Sequence, residues 1–259
     1  MDIAFILAGL AIGMIVGLSG VGGGALMTPF LVFYGVPVSM AVGTDLVYAA
    51  LTKSGAVWLH HKARTVEWRI VGMLALGSIP ASLAGILLLK GFLATDTNFE
   101  GVITSILGIA LILSALVLLF KTRILQFKSN KRSHNPGFFR NRWTMPITIL
   151  CGTILGLLVT LSSVGAGALG AAILILLYPR LPAASLVGTD LAHAVPLAAL
   201  AGAGHAQLGL VDFQLLGNLL LGSLPGVFLG TKLGTRLAEP IVRGVLASLL
   251  LTLGVAFTV

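Results

Sequence analysis

The chain has 259 residues, of which 57% are hydrophobic and only 9% are charged, and its mean hydropathy is +1.06. Soluble domains carry roughly 25% charged residues, so this composition excludes a water-soluble globular domain and indicates a protein folded in a lipid bilayer. The formal net charge of +8 lies in the connections between apolar runs, where it predicts membrane orientation rather than a nucleic-acid partner.

Ten apolar segments follow one another along the chain and predict an all-α, polytopic integral membrane bundle. They lie at about 3–17, 24–35, 40–59, 68–89 and 99–120, then at 143–160, 166–178, 184–205, 213–235 and 241–258. The first segment lacks the positive leading region and the clean cleavage site of a secretory signal, so we expect it to be retained.

The second half of the sequence repeats the first. Val42-Gly43-Thr44-Asp45-Leu46 recurs unchanged as Val187-Gly188-Thr189-Asp190-Leu191, and the Gly-rich stretch 21–26 recurs in weaker form at 164–169. Five segments are an odd number, so the second copy is expected to be upside down relative to the first, as in the inverted-topology repeats of many secondary transporters. The predicted organisation is an N-terminal repeat at 1–120, a basic linker at 121–142 and a C-terminal repeat at 143–259.

Positive residues in the connections predict the orientation. The connections 60–69, 121–142 and 232–243 are rich in Lys and Arg, whereas 206–212, which is equivalent to 60–69, contains neither. Because short cytoplasmic loops carry an excess of Lys and Arg, we expect the three basic connections in the cytoplasm and both termini outside it.

A Gly-rich stretch separates the first two segments of each repeat, and these segments are only about 12–18 residues long, short of the about 20 that a straight crossing takes. We therefore predict short broken or re-entrant helices at these motifs. A helix that begins after a break directs unpaired N–H groups and a positive dipole end into the gap, which suits an anion. The residues assigned to substrate binding at the breaks are Ser19, Gly20, Gly22, Gly23 and Gly24 in the first repeat and Ser162, Ser163, Gly165 and Gly167 in the second. Close helix packing by small residues is the competing explanation.

Ionisable side chains inside apolar segments are costly in lipid and often functional. Lys53 has no basic counterpart in the second repeat, and its ammonium is expected to balance a bound anion or to pair with a carboxylate such as Asp45. The residues assigned to gating or proton coupling are Thr44, Asp45, Thr189, Asp190 and His193. Capping of a helix N-terminus is the alternative for the Thr-Asp pairs, and packing is the alternative for His193.

Pro80 and Pro225 occupy equivalent places in the fourth segments. Each removes one helix hydrogen bond and predicts a kink, which serves either as a hinge or as a static bend. The histidines are scattered and Cys151 is the single cysteine, so no catalytic set or metal-ligand cluster emerges and we expect neither enzyme activity nor a cofactor. The alternatives are an anion channel, a permease for another small organic anion, a membrane-embedded enzyme, and a structural subunit or receptor of a larger complex.

The motifs Gly17-Leu18-Ser19-Gly20-Val21-Gly22-Gly23-Gly24, Thr28-Pro29 and Ala41-Val42-Gly43-Thr44-Asp45 resemble those of the sulfite exporter TauE/SafE family. The resemblance spans essentially the whole chain. It implies a bacterial-type inner-membrane permease for sulfur-containing anions such as sulfite and small organosulfonates. The expected partners are then a small anion and the lipid bilayer, with a homodimer left open.

The second repeat departs from the fuller motif. Ser163 replaces Gly20, Ala166 replaces Gly23, and Ala171-Ala172 replaces Thr28-Pro29. The two repeats are therefore expected to rock around a midplane anion by alternating access without being functionally identical.

Overall fold

The computed structural model describes residues 3–19, 24–95, 99–131, 143–234 and 239–258. Ten α-helices account for almost all of these residues, and no strand occurs among them. The helices are α1 Ile3–Ser19, α2 Gly24–Phe33, α3 Val38–Lys62, α4 Trp68–Thr95, α5 Phe99–Lys131, α6 Thr144–Ser162, α7 Ala168–Leu177, α8 Ala183–Gln207, α9 Phe213–Gly234 and α10 Glu239–Thr258. The predicted fold class, a polytopic helical membrane protein, is confirmed.

The ends of eight helices agree with the predicted segments to within three residues. The exceptions are α4, which continues to Thr95 rather than 89, and α5, which continues to Lys131 rather than 120. Hydrophobicity marks where a chain leaves the lipid, whereas a helix ends only where its hydrogen-bond ladder stops. Residues 121–131 are mostly good helix formers, so the helix continues into the polar stretch.

The central helices α3 and α8 occupy equivalent positions in the two repeats and run in opposite directions. Gly43, near the start of α3, packs against Leu210, just beyond the end of α8. Gly188, near the start of α8, packs in the same way against Thr65, just beyond the end of α3. The two central helices are therefore antiparallel, as the predicted inversion of the second repeat requires.

Each of the main helix pairs in the bundle combines one helix from each repeat. The first helix of each repeat packs against the fourth helix of the other, as α1 on α9 and α6 on α4, while α3 packs on α8 and α5 on α10. Every one of these pairs joins the two repeats. The repeats are therefore interlocked, and neither buries its apolar faces alone.

Close backbone contact at the α1–α9 and α4–α6 pairs depends on glycine. A Cβ on Gly13 would lie 2.6 Å from the Ser223 carbonyl oxygen, and a Cβ on Gly156 would lie 2.7 Å from the Ser78 Cα. Gly9 and Gly152, one helical turn earlier, contact the backbone of the same partner helices. Small residues at this spacing let membrane helices approach closely, so helix packing explains these glycines.

Five helices among the described residues are long and apolar enough to cross a membrane by length and composition: those at 68–94, 99–120, 144–162, 183–207 and 213–230. By contrast, α2 and α7 have 10 residues each. At about 1.5 Å per residue, such a helix covers only about half of a hydrocarbon layer about 30 Å thick. The predicted short helices after the Gly-rich motifs are therefore present.

Candidate functional site

The helix break predicted in the second repeat is present between α6 and α7. Ser163 caps the end of α6 in the left-handed conformation, with φ of 57°, and Gly165 and Gly167 both have φ of 126°. Residues other than glycine rarely adopt these φ values, and glycine adopts them without steric cost. Gly167 then stands at the start of α7, which receives no side-chain cap.

The corresponding break predicted in the first repeat falls at residues 20–23, between the described helices α1 and α2. Gly20, Gly22 and Gly23, which were predicted to bind substrate, lie outside the described residues, as does the side chain of Ser19. The geometry of the site is therefore built from the second break.

Ser162 holds the second break in place through the main chain. Its hydroxyl donates to the Leu158 carbonyl at 2.6 Å and accepts the N–H of Val164 at 3.2 Å. The Ser163 N–H donates to the Val159 carbonyl at 2.8 Å. These bonds satisfy groups that the end of α6 would otherwise leave unpaired.

Asp45 on α3 reaches this break from the other repeat. Its carboxylate is fully buried, and its Oδ2 accepts hydrogen bonds from the hydroxyls of Thr28 at 2.5 Å and Ser163 at 2.9 Å. Its Oδ1 has no hydrogen-bond partner among the described residues. Asp45 thus joins α2, α3 and the break, with one buried oxygen left unsatisfied.

Asp190, the equivalent carboxylate on α8, has different surroundings. The positions that match Thr28 and Ser163 are Ala171 and Gly20, neither of which has a hydroxyl. Asp190 is 6% exposed, and its Oδ1 lies against Gly170 in the first turn of α7, where a Cβ would collide with it. No hydrogen bond to the Asp190 carboxylate occurs within the described part of the chain.

Lys53 reaches the second break and lies within electrostatic range of both carboxylates. Its side chain is 9% exposed, its Nζ donates to the Ala166 carbonyl in the break at 3.5 Å, and its charge interacts with Asp190 and Asp45. The equivalent residue on α8 is Ala198, so the second repeat has no ammonium at the matching position. The structure thus brings together five of the residues singled out from the sequence: Lys53, Asp45, Asp190, Ser163 and Ser162.

Thr44 and Thr189 do not cap their own helices, because each is the seventh residue of a helix that begins after a proline, Pro37 or Pro182. Instead, the Thr44 hydroxyl accepts the N–H of Asp212 at 3.0 Å, just before α9 begins. The Thr189 hydroxyl accepts the N–H of Glu67, just before α4, also at 3.0 Å. Each threonine therefore satisfies a donor at a helix start in the opposite repeat.

His193 faces α4, where its Nε2 is 2.8 Å from the Ser78 hydroxyl. In the other repeat, Tyr48 takes the place of His193 and lies close to Ser223, although the Ser223 hydroxyl makes no hydrogen bond within the described chain. Ser78 and Ser223 were not predicted as site residues. The repeated Gly-Ser-x-Pro blocks at 77–80 and 222–225 carried the signal for them.

Pro80 and Pro225 lie inside α4 and α9, and both helices continue past them. Each proline is two residues beyond the serine that faces α8 or α3. Their use as hinges stays a prediction.

A helical bundle with an interrupted helix, and with buried charges beside the interruption, is typical of membrane transporters. Comparison with known proteins identifies the family. The chain belongs to the family described as Sulfite exporter TauE/SafE, which matches residues 5–257.

Three relatives carry the name of a probable membrane transporter protein. YjnA of Bacillus subtilis is 40% identical over 261 residues and covers 98% of each chain. YdhB of the same organism is 25% identical over 240 residues, or 88% of each chain. MJ0441 of Methanocaldococcus jannaschii is 27% identical over 168 residues, covering 62% of this chain and 57% of its own. No solved structure gives a significant match. The chain is thus a multi-pass membrane transporter.

Proposed function

We propose that this transporter exports small sulfur-containing anions, such as sulfite or organosulfonates, by alternating access. The substrate class is supported by the family description, whose name specifies a sulfite exporter. Support for an anion as the cargo comes from Lys53, whose ammonium lies at the break before α7. This buried cation is the observation that carries the proposal.

In the proposed site, the anion binds between the Lys53 ammonium and the start of α7. The N–H groups of the first turn of a helix lack intrahelical acceptors and carry partial positive charge. Gly167 offers that turn no capping side chain. The Gly170 N–H already donates to the Gly165 carbonyl at 3.1 Å, so the proposed donors to the anion are the N–H groups of Ala168 and Leu169. In this arrangement Ser162, Gly165 and Gly167 shape the break, and Ser163 contributes through its contact with Asp45.

Alternating access is supported by the inverted repeats. The Thr44–Asp212 and Thr189–Glu67 contacts lie at opposite ends of the antiparallel pair α3 and α8. We assign them to two gates, of which one separates while the other stays closed. Pro80 and Pro225, in the helices next to these contacts, are assigned to the hinges.

The proposed orientation places both termini outside a bacterial-type inner membrane and the linker 121–142 in the cytoplasm. Its support is the difference in charge between the loops 60–69 and 206–212. The repeats are then the units 1–120 and 143–259. We also propose a homodimer. The packing of the two repeats within a single chain neither requires nor opposes it.

The site is tested by flux into proteoliposomes that contain purified protein and one labelled anion at a time: sulfite, sulfate, thiosulfate, a small sulfonate or a carboxylate. A hydrogen bond to a charged group contributes about 1.5–3 kcal/mol, so Lys53→Ala is expected to reduce sulfur-anion flux by at least about tenfold. Lys90→Ala is the matched control, since Lys90 is exposed near the end of α4. Unchanged flux in both Lys53→Ala and Ser162→Ala would reject the site.

An anion channel is the second candidate, because a helix start beside a buried lysine would also attract an anion in a pore. Counterflow separates the two. A carrier preloaded with unlabelled anion accelerates uptake of label, whereas a channel does not. Conversion of the anion into a product by the purified protein would instead support a membrane-embedded enzyme.

A further inference from the structure

The place proposed for the substrate anion already holds an anionic side chain of the protein. The Asp190 carboxylate lies against Gly170 in the first turn of α7, and its charge interacts with Lys53. Lys53 in turn reaches the break immediately before α7. Asp190 thus occupies the same surroundings that a substrate anion would need.

Two anions cannot share this position at low cost. Like charges close together in a poorly solvated interior repel strongly, and a buried charge that loses its partner pays a large desolvation penalty. The charge of Asp45 depends less on Lys53, because the hydroxyls of Thr28 and Ser163 donate hydrogen bonds to its carboxylate. Asp190 receives no such bond from the described residues, so its charge depends on Lys53.

We propose that Asp190 takes up one proton whenever the substrate anion replaces its carboxylate beside Lys53, so that anion and proton are transported together in a ratio of one to one. In the empty state the ammonium pairs with ionised Asp190. In the loaded state the ammonium pairs with the substrate, and the proton, which enters from the same aqueous side, resides on a carboxyl oxygen of Asp190. The net charge of the site is the same in both states. This inference rests on the proposed function and adds its coupling ion.

The neighbouring elements leave few other groups to take the proton. The titratable groups near Asp190 among the described residues include Lys53 and Asp45 on α3 and His193 one turn along α8. At the start of α8, His60 lies against Gly188, and the Glu67 main chain bonds Thr189. His193 is already bound to Ser78 of α4 through its Nε2. The break at 163–167 and α7 contain no titratable side chain. Asp190 is therefore the group that loses its positively charged partner, Lys53, when the substrate binds.

The coupling makes transport of a monovalent anion electroneutral. Its direction then follows the combined gradients of anion and proton, and the membrane potential does not drive it. Export under this scheme removes acid together with the anion. An uncoupled anion carrier would instead respond to the potential.

Proteoliposomes with a pH-sensitive dye inside test the coupling, with labelled methanesulfonate as the probe. Because methanesulfonate is the anion of a strong acid, it carries no proton itself, and any change of internal pH reports protons moved by the protein. Valinomycin and potassium gradients set the membrane potential. Where methanesulfonate is not a substrate, sulfite replaces it in mildly acidic buffer, where it is mainly monovalent, and the readout is the dependence of flux on the imposed potential.

The wild-type protein is expected to acidify the lumen by one proton for each methanesulfonate taken up, at a rate that does not change with the imposed potential. Asp190→Asn cannot take up the proton, so its proton flux should fall to the level of protein-free vesicles while anion counterflow persists and net uptake becomes dependent on potential. Glu100→Gln, which neutralises an exposed carboxylate at the start of α5, serves as the control and should stay coupled.

Anion flux without proton movement, or flux that follows the potential in the wild-type protein, would overturn the coupling and leave the proposed transport intact. Coupling lost in Asp45→Asn but kept in Asp190→Asn would overturn the choice of residue. If neither methanesulfonate nor sulfite is moved by the wild-type protein, the proposed function fails and the coupling fails with it. If Asp190→Asn does not fold, the wild-type ratio of protons to anions decides alone.

Discussion

The hydroxyl of Thr44 accepts the main-chain N–H of Asp212 at 3.0 Å, so a side chain of the first repeat satisfies a donor at the start of α9 in the second. Thr189 and Glu67 repeat this contact in the opposite direction. The shared Gly-Thr-Asp motif therefore links the repeats at both ends of the α3–α8 pair. Its glycine permits the close approach, its threonine makes the link, and its aspartate turns toward the helix break.

Removing the threonine hydroxyl should weaken this link. Thr44→Val leaves the half-buried Asp212 N–H without its acceptor, which costs about 1 kcal/mol, and Thr44→Ser should restore most of the loss. Thermal unfolding of the purified protein in detergent measures both. Thr104→Val is the matched control, because its hydroxyl bonds only the Glu100 carbonyl of its own helix at 2.7 Å. Equal effects of the two Val substitutions would contradict a special role for the link.

The stabilisation contributed by the two hydroxyls that donate to Asp45 should depend on the negative charge of its carboxylate. Thr28→Val or Ser163→Ala removes one of the two donors to Oδ2, and loss of a donor to a buried charged group costs about 1–3 kcal/mol. In an Asp45→Asn background the same substitutions should cost much less, since the charge that the donors stabilise is gone. A double-mutant cycle on unfolding midpoints measures the difference. Additive effects would show that the hydroxyls act independently of the carboxylate.

Two glycines of α4 should respond in opposite ways to alanine. A Cβ on Gly77 would lie 2.7 Å from the Thr153 N–H nitrogen on α6, whereas a Cβ on Gly72 would meet nothing within 4 Å. Gly77→Ala forces the helices apart and should destabilise the protein by about 1–3 kcal/mol. Gly72→Ala should be neutral or stabilising by up to about 1 kcal/mol, because alanine favours the helix. If the Gly77→Ala variant unfolded at a midpoint equal to or higher than that of Gly72→Ala, the close α4–α6 packing would be contradicted.

The inverted orientation can be tested at two equivalent, exposed positions, Lys62 at the end of α3 and Gln207 at the end of α8. In a Cys151→Ser background, which leaves no other cysteine, a cysteine at position 62 should react with a membrane-impermeant maleimide only after the cell is opened. A cysteine at position 207 should react in intact cells. Labelling of both from one side would contradict the inversion.

Much of the fold was predictable because its signals are local. Apolar runs set the helices, and eight of the ten had ends within three residues of those predicted. The break at 163–167 followed from glycines whose positive φ angles other residues avoid. The continuation of α5 beyond residue 120 to Lys131 was missed, because residues that favour a helix continue past the apolar run.

The site was less predictable, because its contacts join residues far apart in sequence. Lys53, Asp45 and Asp190 stood out as ionisable groups in apolar segments, but the 3.5 Å contact between Lys53 and Ala166 spans 113 residues. Ser162 and Ser163 were predicted to bind substrate, and the structure shows their hydroxyls bound to the main chain and to Asp45. Ser78, which faces His193, carried only the weak signal of a repeated block.

By itself, the sequence determined that this protein is a helical membrane protein with a duplicated sequence pattern, and it predicted the helix interruption found at 163–167. These properties depend on composition, on spacing along the chain and on local backbone preference. Only the tertiary structure decided that the threonines of the two Gly-Thr-Asp motifs bond helix starts of the opposite repeats. It also decided that Lys53 reaches the second break and that Asp190 lies against the first turn of α7. A buried polar group must find its partner in space, and the antiparallel packing of α3 on α8 fixes which partner lies within reach.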